Sequence, residues 1–330
     1  MMRGRAMTLP RRRFLQIAGA AALPGLPRAA IAQAWPNRPL RWLIGYPAGG
    51  STDLVARIMG QWLSERLGQP VVIENRPGAG TNLATQAVVN APPDGYTLLL
   101  AVATNAINAT LYESLPFNFM RDIAPVAGFA EFPLVMEVAA AVPAKDVAEF
   151  IAYAKANPGK INIASFGTGT ISHLAIEMFK AMAGVDMVHV PYRGGASMVT
   201  DMLGGSIQAG VDALPNSLPH IRRGTLRALA LTNARRSPVL PDVPAVGETL
   251  PGFEVTTWSG IGVPRATPSE IIARLNREIN AGLAHPAIKM RLADAGATPI
   301  VMTPSEFGAL IATDTEKWAR VIKLSGARPE

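Results

Sequence analysis

Three apolar runs separated by amphipathic stretches set the tightest limit on the fold. "LRWLIGY" (Leu40–Tyr46), "VVIE" and "YTLLLAV" are short and continuous, the pattern of strands covered on both faces. Between the first two, Val55, Ile58, Met59, Trp62 and Leu63 recur at intervals of three and four. Residues from about 52 to 67 therefore read as a helix with one buried stripe, stopped by Gly68 and Pro70. "NRPGAG" leads into a second helix over about 82–89, and "APPDG" ends it. This β-α-β-α-β order predicts a parallel sheet with right-handed crossovers.

A second set of the same kind starts near Leu134. "LVMEV" precedes a helix over about 145–156, "INIAS" a helix over 171–183, and "MVHV" the stretch "PYRGGASMVTDMLGG"; "IQAGVD" and "LRALALT" complete the set. The proline-rich "SPVLPDVPAVGETLPG" then crosses an exterior surface. From "FEVTTW" onward the chain reads as mainly helical, over 268–284, 287–295 and 304–324. That part is too poor in strands for a third sheet and is expected to pack back on the first domain. The organisation is thus an export signal at 1–32, domain 1 at 33–134 with its C-terminal helical part at 254–330, and domain 2 at 135–253. The chain crosses between domains twice, near Phe132–Val138 and Phe253–Trp258.

The head of the chain accounts for its charge. Six of the 31 Lys and Arg residues lie at positions 1–32, where there is no Asp or Glu. The apolar stretch that follows is short and broken by Pro24 and Pro27, and small residues surround Ala30-Ile31-Ala32. That is the form of a cleavable export signal, cut near Ala32, which places the mature protein in the periplasm. Arg11-Arg12 followed by Phe14-Leu15-Gln16 resembles the twin-arginine type; an ordinary secretory signal with extra arginines is the alternative. Beyond the head, 25 basic residues face 24 acidic ones, so nothing supports a nucleic-acid partner. The chain has no cysteine, which excludes disulfides, thiolate metal sites and a cysteine nucleophile.

"GYPAGGSTD" (Gly45–Asp53) occupies the first strand-to-helix turn. A nucleophile elbow needs Gly-x-Ser-x-Gly, and Asp53 stands where the last glycine belongs. A P-loop needs a lysine that this loop lacks, and "GTGTIS" supplies only two of the three glycines of a dinucleotide fingerprint. The four histidines, His173, His189, His220 and His285, are scattered and the carboxylates are not clustered, so no metal or cofactor is expected. What the loop offers is main chain. Glycines admit a ligand close to the backbone, and the N–H groups of a helix start attract anions; a capped turn with no ligand fits the same residues. "ASFGTGTISH" (Ala164–His173) repeats the device, and "PYRGGAS" adds Tyr192 and Arg193 beside Gly194-Gly195. Such loops in two separate domains suit an anion clamped at the carboxyl ends of the strands. The enzyme alternative is an exported hydrolase attacking through Ser51 or Ser165.

The string Tyr46–Asp53, "VIENRPGAGTN" (Val72–Asn82), "PPDGYTLL" (Pro92–Leu99), "VPYRGGASMVTDMLGG" (Val190–Gly205), "PHIRRGTLRALALT" (Pro219–Thr232) and "SPVLPDVPAVGETLPGFEV" (Ser237–Val255) resemble the Bug proteins. These are the extracytoplasmic solute receptors of tripartite tricarboxylate transporters. The resemblance implies an α/β, two-domain periplasmic binding protein (type II-like), its two β/α sheets joined by a two-crossing hinge. It also implies a small carboxylate in the hinge cleft, no catalysis, and a monomer that hands its ligand to membrane subunits; a sensor serving a signalling partner would need the same cleft. By position, Tyr46, Pro47, Ala48, Gly49, Gly50, Ser51, Thr52 and Asp53 would grip one end of the ligand. Ser165, Gly167, Thr168, Gly169 and Thr170 would take the other, with Asn105 and His173 beside the pocket. Asp212 would lie near the floor, accepting from a ligand amino or hydroxyl group, or else capping the next helix. Asn105 and Thr110 stand where family members often show His and Pro.

Overall fold

The computed structural model describes residues 35–234, 236–325 and 327–329, and the expected export signal lies outside them. β1 (Leu40–Ile44), α1 (Ser51–Leu67), β2 (Val71–Asn75), α2 (Asn82–Val89) and β3 (Thr97–Val102) keep the expected order, and β1 pairs in parallel with both β2 and β3. The periodic residues of α1 do what their spacing requires: Val55, Ile58, Met59 and Leu63 are buried. Trp62 is partly covered, and its indole N–H donates to the Glu278 carbonyl at 2.8 Å. Gly68 ends the helix at φ +69°, a left-handed position that suits glycine, and donates to the Ser64 carbonyl at 3.1 Å.

Two departures from the sequence reading follow. "ATNAINATL" is a helix, α3 (Ala103–Leu111), which leaves β3 without an intervening loop. Its start is marked by the Asn105 side chain, which accepts from the Val102 N–H at 2.8 Å. After α4 (Phe119–Asp122) comes the 17-residue strand β4 (Ile123–Ala139). Then follow α5 (Val147–Ala156), β5 (Asn162–Ser165), α6 (Ile171–Ala183), β6 (Val188–Pro191), α7 (Gly195–Leu203), β7 (Ala209–Ala213), α8 (Leu214–Arg222) and β8 (Leu226–Leu231). The chain ends with β9 (Thr256–Pro264), α9 (Ser269–Ala284), α10 (Pro286–Asp294), β10 (Thr298–Pro299) and α11 (Pro304–Ser325).

The second departure is β9, a strand in a segment expected to be mainly helical. It lies between β3 and β4 and is antiparallel to both, so the first sheet is mixed rather than parallel. Its order is β2-β1-β3-β9-β4, with β10 on the other side of β4. Two glycines interrupt its β-branched residues, Thr256, Thr257, Ile261 and Val263, because neighbours press on those two positions. A Cβ on Gly260 would stand 2.1 Å from the Phe307 ring, and one on Gly262 would stand 2.5 Å from Ile123. In the second sheet β4 lies between β7 and β8, antiparallel to each, while β5 runs parallel to β6 and β7.

β4 belongs to both sheets. Residues 123–133 pair with β9, and residues from Leu134 onward pair with β7 and β8. The return crossing is tied to the same point by Thr232, which is fully buried. Its N–H donates to the Leu134 carbonyl at 2.9 Å, and its hydroxyl accepts from the Leu134 N–H at 3.0 Å. That hydroxyl also donates to the Val255 carbonyl at 2.6 Å, while the Val255 N–H donates back to the Thr232 carbonyl at 2.7 Å.

Candidate functional site

A cavity of about 320 Å³ opens where the β1–α1 loop faces the start of α7 and the β7–α8 junction. Tyr46, Pro47, Ala48, Gly50, Ser51 and Thr52 line one side, and residues 193–197 line the other. Phe132, Phe166 and Ile171 give it apolar walls, and Asp212 and Asn216 reach it from the junction. A second cavity of about 520 Å³ shares Tyr46, Pro47, Phe166 and Arg193 with the first; it extends to the 77–81 turn, Tyr112, Gly167, Thr168 and Thr170.

The β1–α1 loop is held from behind by its own carboxylate. Asp53 is buried, not exposed to the cavity. It accepts from the Gly49 N–H at 3.0 Å, from Arg57 at 2.8 and 3.0 Å, and from Asn75 at 3.1 Å. Burial alone would push its carboxyl up, but these donors outweigh it and hold it below the usual carboxylate value. Asn75 also donates to the Tyr46 carbonyl at 3.0 Å. Gly49 and Asp53, expected at the ligand, line neither cavity; they shape the turn, with Gly49 at φ +85°. The Tyr46 hydroxyl bonds Thr104 at 2.8 Å, and its ring stands edge-on to Phe166 at 6.0 Å. Burial drives that phenol well above its usual value, against the opposing Thr104 bond.

Neither Ser51 nor Thr52 caps α1. The cap position is Gly50, and no side chain closes the helix start. α7 begins in the same way, at Gly194 with φ +131° and no side-chain cap. These two starts face one cavity, and a helix start carries roughly half a positive charge. The third glycine-hydroxyl loop differs, because Thr170 caps α6 itself.

Several residues expected at the ligand stand behind the wall instead. Ser165 is fully buried, and its hydroxyl lies 2.7 Å from His189 Nε2. His189 stacks on His173 at 4.1 Å; burial, then His173 and Lys180, drive its pKa down to about 3. His173 Nδ1 accepts from the Gly169 N–H at 3.1 Å. Gly169, at φ +73°, lies so close to α3 that a Cβ would stand 2.2 Å from Leu111. Asn105 is buried too, donating to Thr81 and Thr85 at 2.9 Å each. Ser165, Gly169, His173 and Asn105 line neither cavity; they brace the loops that do. Gly167, Thr168 and Thr170 line the second cavity only.

Asp212 lies between the cavity and the start of α8. It lines the cavity and also bonds the start of α8, accepting from the Ala213 N–H at 2.8 Å and from the Asn216 amide. Burial pushes its pKa up to about 6 in spite of those donors. Gly195 has no side chain because a Cβ there would stand 2.5 Å from this carboxylate. Arg193 is exposed and is the one Lys or Arg among the residues lining either cavity. It belongs to the "PYRGGAS" loop, one of the three glycine-hydroxyl loops of the sequence. Among the described residues no group of three His, Cys, Asp or Glu is arranged to hold a metal ion, and no helix is long and apolar enough to cross a membrane.

Residues 55–327 match the family model described as Tripartite tricarboxylate transporter family receptor. Protein BugT of Bordetella pertussis is 36% identical over 310 residues, covering 93% of this chain and 95% of that protein. Rpa4515 of R. palustris, solved with adipate, superimposes with a TM-score of 0.87 at 34% identity, over 90% of this chain and 100% of that one. MatC of Rhodopseudomonas palustris, solved with bound malate, gives 0.82 at 32% identity, over 87% of this chain and 100% of that one. The two sheets joined through β4 are the α/β, two-domain fold of periplasmic binding proteins.

Proposed function

This chain belongs to the tripartite tricarboxylate transporter receptor family, and we propose that it captures a small carboxylate between the starts of α1 and α7. The observation that carries this reading is the pair of helix starts, each at a glycine with no side-chain cap, facing one cavity. Main-chain N–H groups there suit an anion without any lysine, and Arg193 adds one exposed countercharge to the lining. The adipate and malate of two relatives fit the same chemistry.

The capture is a binding event, not a reaction. Among the described residues, Ser51 has no histidine or carboxylate bonded to its hydroxyl, and Ser165, paired with His189, is fully buried and lines neither cavity. The sites of contact on this reading are Tyr46, Pro47, Ala48, Gly50, Ser51, Thr52, Asp212 and the 193–197 segment. Domain 1 (33–134 with 254–330) and domain 2 (135–253) close over the ligand about β4 and Thr232. The chain is exported through its arginine-rich head, cut near Ala32, and delivers its ligand to membrane subunits of a tripartite tricarboxylate transporter.

A melting screen against mono-, di- and tricarboxylates, with neutral amides as controls, tests the reading. A ligand at about 100 times its dissociation constant adds roughly 2.7 kcal/mol to stability. Equal shifts with amides would refute an anion clamp.

A further inference from the structure

Behind Asp212 lies a second carboxylate that the clamp does not use. Glu137 sits in the second-sheet part of β4, opposite Gly210 of β7 and Ala228 of β8, and is fully buried. Its Oε1 lies 2.8 Å from the Ser217 hydroxyl, and the same hydroxyl lies 3.2 Å from Asp212 Oδ2. A serine hydroxyl carries one hydrogen and can donate it once. With both carboxylates ionised, one of these two contacts would set lone pair against lone pair. A single proton on Glu137 removes the conflict: Glu137 donates to Ser217, and Ser217 donates to Asp212.

The environment assigns the proton to Glu137. Its second oxygen, Oε2, is buried with no hydrogen-bond partner, a position that an ionised carboxylate tolerates badly. Asp212 instead collects donors from Ala213, Asn216 and Ser217. The charged neighbour acting on Glu137 is Asp212 itself, and burial is the larger cause of its raised pKa. Groups on the surrounding elements are engaged elsewhere or reach only the cavity side. Arg227 of β8 donates to the Val142 and Ala144 carbonyls, and His173 of α6 accepts from Gly169. His220 of α8 lies beside Arg223, with Arg222 next to them on the exposed side, and Arg193 ahead of α7 lines the cavity.

We propose that Glu137 and Asp212 share one proton through Ser217, with Glu137 neutral and Asp212 charged, and that a carboxylate entering the cavity draws a second proton onto Asp212. Glu137 is then a positioning residue that sets the charge of the cavity floor. The second half rests on the carboxylate reading above; the first half does not.

Infrared spectroscopy of the ligand-free protein at neutral pH reads the first half. The carbonyl stretch of a protonated carboxyl group is expected in the wild type, lost in Glu137→Gln, and shifted in Ser217→Ala, which keeps a readout if Glu137→Gln does not fold. No such band in the wild type, or a band unmoved by these substitutions, overturns the shared proton. Calorimetric titration with adipate in two buffers of different ionisation enthalpy reads the second half. Wild type is expected to take up close to one proton per adipate, and Asp212→Asn none. The wild-type affinity should rise as pH falls toward 6, by at most about tenfold per pH unit relative to Asp212→Asn; adipate's own titration is common to both. Equal proton uptake in Asp212→Asn overturns the second half. If adipate does not bind, the carboxylate reading for this ligand fails, and the infrared comparison still decides the pair.

Discussion

Replacing Thr232 by Val removes one hydroxyl at the point where the chain passes twice between the sheets. The substitution keeps the β-branched shape, so the backbone and the surrounding volume should change little. The Leu134 N–H then loses its 3.0 Å acceptor and the Val255 carbonyl its 2.6 Å donor, both at a fully buried position. A buried donor left without a partner costs about 1–3 kcal/mol, and an ordinary hydrogen bond contributes about 0.5–1.5 kcal/mol. The expected loss is therefore about 2–4 kcal/mol. At about 2–4 °C per kcal/mol for a large domain, the melting temperature should fall by several degrees. Thr232→Ser restores the hydroxyl and should recover most of the loss, less the contribution of one methyl group. Thermal and urea melts of the three ligand-free proteins check this. Val equal to wild type with Ser clearly weaker would refute the reasoning, because packing of the methyl, not the hydroxyl, would then hold the crossing.

The acid side of the stability profile should depend on Asp53. Its carboxyl is held below the usual value in the folded protein, so its stabilisation is present above about pH 4 and lost as pH falls through the lower folded value; Asp53→Asn should melt with a shallower pH dependence there, and parallel profiles would count against it. Gly50 adopts φ −84°, and a Cβ there would meet nothing closer than 3.9 Å. Gly50→Val should thus leave ligand-free melting within about 1 kcal/mol while weakening carboxylate binding at least about tenfold in isothermal titration; unchanged affinity would remove the α1 start from the clamp. Gly169→Ala combines a left-handed φ with a 2.2 Å clash against Leu111, and should lower stability by about 1–3 kcal/mol in a urea melt. Small-angle scattering should show a smaller radius of gyration with ligand than without, provided that no ligand is carried through purification; an unchanged radius in demonstrably ligand-free protein would argue against hinge closure.

The sequence was most legible where punctuation and periodicity agreed. Helix α6 spans 171–183 and α2 spans 82–89 as expected, α6 opened by the Thr170 side chain and closed by left-handed Gly184. β9 was hidden because Gly260 and Gly262, demanded by close neighbours, break up its run of Thr, Ile and Val. α3 was hidden because its start is set by a side-chain bond from Asn105, with no loop to announce it. At the site, glycine and hydroxyl content pointed to loops that line the two cavities. Which side chains face the cavity was not readable, since that depends on partners distant in sequence. Asp53 is turned inward by Asn75, Ser165 by His189, and Gly169 is pressed by Leu111. Two adjacent glycines at 194–195 carried more of the cavity than the hydroxyls of 165–170.

The place of β9 also dictates an order of assembly. Leu99 of β3 pairs with Gly262, and Ala124 of β4 pairs with Val263, so the gap between β3 and β4 stays open until residues beyond 260 have left the ribosome. A nascent chain that ends before them presents the apolar edges of β3 and of the first half of β4 with nothing between them. The second sheet, by contrast, has all its strands once Leu231 is made. The middle of the polypeptide can therefore settle first, and the beginning must wait for the end. Pairing across such sequence distance is slow, so the facing edges of β3 and β4 are the last part of the first sheet to be covered.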